Sequence, residues 1–262
     1  MESFPPFLMG AIRFTIAGSV LYIAIRLMGA PNPTWQEWRG SAIVGLLLPA
    51  LGHGTVCYVQ QTVSSSLAAL SIATAPIWMA IFSSIWGHHI TRQEWFGIAV
   101  GLAGIVLLNM GGALHGDYVS AMLLIFAAAS WSFGSVWGKH LTQPKGLMAA
   151  AAQMLAGGAV LIVWSTLAGE TWPAQISQKS WGAMLFLILL GSLVAYSAYQ
   201  WLLKNVRPLV ASSNTFVNPI MAFAVGIWLG NENVAVNEYI ALAVILVGVF
   251  LVLTANNTTT ER

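Results

Sequence analysis

Nine apolar runs follow one another along this chain, at roughly 7–28, 40–60, 65–86, 95–111, 118–138, 147–168, 182–203, 208–229 and 239–255. Crossing the hydrocarbon core of a bilayer takes about 20 apolar residues in an α-helix. A chain that repeats runs of this length has lipid as its main solvent. The gaps are short and carry turn chemistry: Ala30-Pro31-Asn32-Pro33, Ser64-Ser65-Ser66, Gly111-Gly112, Gln143-Pro144 and Asn231-Glu232-Asn233. None has room for a soluble domain. The pattern predicts an all-α fold, a polytopic membrane helical bundle of nine spans.

Charge supports the same conclusion. Asp, Glu, Lys and Arg make up 7% of the residues and AVILMFWYC 58%, whereas about a quarter of an ordinary soluble domain is charged. Too little charge is present to cover a globule in water, which excludes a soluble enzyme, a disordered tail and a nucleic-acid binder. A net charge of +2 points to no polyanionic partner. The lone Cys57 excludes an internal disulfide and a Cys-based zinc cage. No charged segment with a cleavage site precedes the first run, so no removable signal peptide is expected.

Alternating the gaps across the bilayer sets the orientation. Arg26, Arg39, Arg92, Lys139, Lys145, Lys204, Arg207 and Arg262 fall on one side, Lys179 alone on the other, and Arg13 within a span. The positive-inside rule then places the C-terminus in the cytoplasm and the N-terminus outside.

The chain also repeats itself. Trp38 to Gly87 aligns without gaps on Trp181 to Gly230, so that Val63, Ala68, Pro76 and Ile77 fall on Val206, Ala211, Pro219 and Ile220. Further along, Glu94-Trp95 meets Glu238-Tyr239, and earlier Gly18 meets Gly158. The predicted division is a first repeat over 1–112 with four helices and a second over 113–262 with five. Units of five helices have opposite orientations, the inverted-repeat plan of many secondary transporters. The missing partner of 118–138 is expected just before Met1, implying a truncated start or a cloning boundary rather than a natural nine-helix chain.

Three stretches resemble a known family. Arg13-Phe14, the run Glu94-Trp95-Phe96-Gly97-Ile98-Ala99-Val100-Gly101-Leu102-Ala103-Gly104-Ile105, and Ser130-Trp131-Ser132-Phe133-Gly134-Ser135 are similar to motifs of EamA-type drug/metabolite transporters, and the likeness runs essentially end to end. It implies ten helices, a central cavity, residence in the cell inner membrane and export of amino acids, metabolites or drugs. Nine spans depart from that plan by one helix.

Polar residues inside spans are costly and mark candidate sites. Pro76 and Pro219 occupy matching repeat positions, where a proline removes a backbone donor and frees carbonyls for a ligand; the alternative is a pair of structural kinks. His53 and Tyr196 are also repeat partners, with Gln60 on the face of His53, and Tyr199 and Gln200 on the face of Tyr196. They line a mid-membrane cavity, or else make ordinary interhelical hydrogen bonds worth about 0.6 kcal/mol each. Trp131, Ser135, Asn214 and Asn218 form a further group, with amides beside the interrupted helix and an aromatic wall; Trp78 is the other deep tryptophan. Trp35, Trp38, Trp86, Trp95, Trp172 and Trp181 lie at span ends and read as an interfacial belt. Arg13 lies about 10 Å into the membrane and is expected to snorkel outward in a gating or structural role.

All eight acidic residues fall in loops or at span edges, leaving His53 as the one neutral-range titrating side chain in a span interior if transport is proton-linked. Without that link the protein is a facilitator. The function predicted is secondary transport, in the export direction by resemblance, of small polar or amphipathic metabolites. The expected partners are a small-molecule solute and the lipid bilayer, with no cofactor, metal or nucleic acid; a homodimer stays open. A non-transporting assembly subunit and, further off, an intramembrane enzyme are the alternatives. The five histidines are too few and too scattered for a di-iron His-box site.

Overall fold

The computed structural model describes residues 4–63, 65–109, 118–216 and 236–255. Among these, all regular structure is helical: α1 (Pro6–Leu27), α2 (Trp35–Gly45), π1 (Leu46–Gly54), α3 (Thr55–Val59), α4 (Ser65–Ile72), α5 (Ala75–Ile85), α6 (Arg92–Asn109), α7 (Tyr118–Gly138), α8 (Leu147–Leu167), α9 (Gln178–Phe186), π2 (Leu187–Tyr196), α10 (Ser197–Asn205), α11 (Pro208–Ser212) and α12 (Val236–Thr254). Six apolar helices among the described residues are long enough to cross a membrane, namely 6–27, 35–59, 67–85, 118–138, 147–167 and 178–205, and Ile240–Thr254 is a shorter apolar one. Most of the span expected at 208–229 lies outside the described residues.

The helix starts follow from local chemistry. Pro6 opens α1, where its missing N–H costs nothing. Thr34 and Glu37 form a capping box at α2: the Glu37 backbone N–H donates to Thr34 Oγ1 at 3.3 Å and Thr34 N–H to the Glu37 carboxylate at 2.7 Å. Thr91 and Glu94 repeat the device at α6, with bonds of 3.1 and 2.7 Å. Ser177 caps α9.

The chain forms two compact units, and each draws on both halves of the sequence. Unit 1 comprises residues 1–61 and 133–206, and unit 2 residues 62–132 and 207–262. In unit 1, α8 is the central element, packed by α1 and by α2–π1. Small residues allow the approach. A Cβ on Gly157 would lie 2.6 Å from Pro49 Cβ and 2.7 Å from the Gly45 carbonyl oxygen. In unit 2, α6 packs along α12, and a Cβ on Gly248 would lie 2.5 Å from the Gly101 backbone nitrogen. Ala73, Ile105, Phe216 and Ile245 fill the core beside that crossing. Outward-facing side chains stay apolar: Leu185, Phe186, Leu189, Leu190, Val194 and Trp201 are all exposed along α9–π2–α10. That surface would aggregate in water and suits lipid.

Two long helices share one design. Each runs α–π–α, with segments starting at 35, 46 and 55 in the first and at 178, 187 and 197 in the second. Wide π turns interrupt the usual ladder and recur at functional sites. These two hold His53 and Tyr196.

Within unit 1 the loops sort by charge. Lys139 Nζ donates to the Val206 carbonyl at 3.0 Å and Lys204 Nζ to the Pro144 carbonyl at 3.2 Å, so the basic loops after α7 and α10 share an end. At the start of α1, the Phe7 and Leu8 backbone N–H groups donate to the Glu170 carboxylate at 3.2 and 2.7 Å. Phe4 packs edge-on against Trp172 and Trp181 there. In unit 2, Arg207 bonds Glu94 at 2.6 Å and the Ala255 carbonyl at 3.1 Å, tying the start of α6 to the end of α12.

Candidate functional site

Unit 1 carries a line of polar side chains along its interior. Near the start of α1, Arg13 is buried. Its Nε donates to Ser192 Oγ at 2.7 Å, and its NH1 lies 2.9 Å from His53 Nε2. A guanidinium can only donate, so His53 Nε2 accepts and the ring proton falls to Nδ1. Cys57 Sγ sits 3.3 Å from the same nitrogen. Gly191 makes the room, since a Cβ there would lie 2.8 Å from Arg13 NH2. The expected outward reach of Arg13 to the interface is therefore corrected. Two acceptors one helix away outcompete the headgroup region, and the side chain turns inward.

Phe14 bridges this cluster to the next, with its ring 5.4 Å from His53 and 6.1 Å from Tyr196. From Tyr196 a hydrogen-bond chain continues. The Tyr196 hydroxyl donates to Gln153 Oε1 at 2.8 Å, Gln153 Nε2 donates to Gln143 Oε1, and Gln143 Nε2 donates to the Gly138 carbonyl at 2.6 Å. Gln153 is fully buried on α8. A buried amide with both ends engaged is a positioned element rather than a loose one.

The chain ends at a cavity of about 210 Å³ among Val44, Ser135, Gln143, Gln200 and the stems of Lys139 and Lys204. Ser135, in its wall, lies 2.9 Å from the Tyr199 hydroxyl. Gln200 is buried near the Tyr196 hydroxyl, yet its Nε2 meets no acceptor at hydrogen-bonding distance and angle. Lys139 is exposed overall, but desolvation around its ammonium lowers its pKa from the usual lysine value.

Unit 2 holds the other candidates. The span at 65–86 breaks as expected, with α4 ending at Ile72 and Pro76 in the first turn of α5. Ser132 Oγ donates to the Ala75 carbonyl at 3.0 Å, so that carbonyl is held by protein. Trp78 stacks on Phe82 at 6.0 Å. Trp131 and Asn214 are half-buried; Asn218 and Pro219 lie outside the described residues.

The structure thus brings His53, Ser135, Tyr196, Tyr199 and Gln200 into unit 1 and leaves Gln60 exposed at the end of α3, away from the cavity wall. Sequence reasoning missed Gln143, Gln153 and Ser192, and counted Lys139 and Lys204 only for orientation. Two glutamines within apolar or turn segments were a readable signal; Ser192 was not, apart from its neighbour Gly191.

Comparison with known proteins places this geometry in context. The model of the EamA-like transporter family matches residues 1–110 and 119–254. The uncharacterized inner membrane transporter YedA of Escherichia coli (strain K12) is 42% identical over 253 residues, covering 96% of this chain and 83% of that protein. A chloroplastic WAT1-related protein of Arabidopsis thaliana, At3g02690, is 27% identical over 94% of this chain and 62% of its own length. One solved crystal structure shares the fold at a TM-score of 0.77 and 22% identity, covering 95% of this chain and 88% of that one.

Proposed function

The chain belongs to the EamA-like transporter family, and from that premise we propose that it exports small polar or amphipathic metabolites by alternating access. It is a multi-pass transporter of the inner membrane. In this proposal residues 1–112 and 113–262 are two inverted repeats, and the C-terminus is cytoplasmic.

The observation that carries it is the paired α–π–α helix. Corresponding interruptions in two halves of a transporter point to its solute path, and here each interrupted helix delivers a polar side chain, His53 or Tyr196, toward Phe14. The line from Arg13 to the lysine-ringed cavity gives a solute a succession of donors and acceptors inside an otherwise apolar unit. Export rather than uptake rests on the family likeness.

Cells expressing the protein are expected to retain less of some amino acid or toxic analogue than cells lacking it. Unchanged retention across a broad solute panel overturns the reading.

A further inference from the structure

The cavity at the basic end of unit 1 has a chemical bias that the transporter reading does not require. Its polar lining is Ser135, Lys139, Gln143, Gln200 and Lys204, without a carboxylate. Lys139 and Lys204 both line this small cavity, and no acidic residue lines it with them. Each is anchored by a single bond to a backbone carbonyl, at 3.0 and 3.2 Å. An ammonium carries three donors, so each keeps others to offer.

Deeper in, the Gln200 amide is buried and its Nε2 has no partner. Buried donors are ordinarily satisfied, and an orphan one calls for an explanation. Gln143 Oε1 already accepts from Gln153, and neither it nor any other acceptor meets Gln200 Nε2 at hydrogen-bonding distance and angle. What the lining lacks is a negative charge, and an anionic acceptor entering the cavity suits the orphan amide and both lysines together. A cationic solute would face two like charges there.

We propose that this cavity binds an oxyanion group, carried in as the carboxylate of the transported solute, with Gln200 and the two lysines as its donors. This rests on the transporter reading above and names the solute class. The volume of about 210 Å³ is below the roughly 300–1,000 Å³ of a drug-sized site. It takes a small acid whole, or the charged end of a larger one. A lipid phosphate headgroup shares the chemistry, and the test separates the two sources.

The purified full chain is reconstituted in phosphatidylcholine vesicles loaded with lactate, lactamide and 1-amino-2-propanol, together with the amino acids, and release is followed by mass spectrometry. Carboxylate-bearing solutes are expected to leave preferentially, and K139Q/K204Q to lower the ratio of carboxylate to amide release at least tenfold. K139R/K204R, which keeps both charges, restores the ratio and controls for folding. Release confined to solutes without a carboxylate overturns this proposal and leaves the transporter reading standing, as does an unchanged ratio in K139Q/K204Q. If nothing is released, the transporter reading fails and the unfolding midpoint in nanodiscs decides. Stabilisation by phosphatidylglycerol that K139Q/K204Q abolishes assigns the cavity to a lipid headgroup, and its absence overturns anion binding altogether.

Discussion

His53 is held by its neighbours in a way that limits its chemistry. Arg13 donates to Nε2 at 2.9 Å, so the lone pair of that nitrogen is engaged by the guanidinium. The side chain acts here as an acceptor. His53→Gln offers an amide oxygen to the same donor, so the pH profile of transport in vesicles should superimpose on that of the wild type. A flattened profile would make His53 a proton carrier. The residue itself was legible in the sequence, because a histidine between Gly52 and Gly54 in an apolar run stands out, and so were Tyr196, Tyr199 and Gln200. The inward turn of Arg13 was not. Depth along a helix says how far a side chain must reach for water, but not that Ser192, from a distant part of the chain, waits closer.

At the scale of elements, close approach at small residues sets the packing. Gly157 faces Pro49 and the Gly45 carbonyl, both on or next to backbone that cannot swing away. Gly157→Ala is expected to cost about 1–3 kcal/mol through overpacking, seen as a lower unfolding midpoint in detergent; an unchanged midpoint would mean α2–π1 and α8 are not so tightly joined. The elements were largely readable. The run at 118–138 coincides with α7, Pro76 ends one helical segment and begins another, and Gly97-x-x-x-Gly101 packs against α12 as small residues allow. The first π segment left one trace, Pro49, which removes a backbone donor inside the run; the second left none, because its Leu-rich residues fill α and π turns equally well and tertiary contacts decide between them.

Across the whole molecule, the charge pattern and the contacts within unit 1 agree on which loops share an end. The basic loops are tied together by Lys139 and Lys204, and the start of α1 meets the Glu170 loop instead. With Cys57→Ser as background, a membrane-impermeant maleimide added outside intact cells should label Lys179→Cys and spare Lys145→Cys; the reverse pattern would invert the proposed topology. What the sequence could not disclose is that each compact unit gathers helices from both halves, since a repeat alignment records ancestry and not which helices pack together. The proposed function is the movement of small solutes along the polar interior of unit 1. Its most direct test is efflux from vesicles containing the purified 262-residue chain, loaded with amino acids and related metabolites. At least one solute should leave faster than from protein-free vesicles, and Gln200→Leu should slow that release; retention identical to empty vesicles for every solute would show that the chain moves none of them.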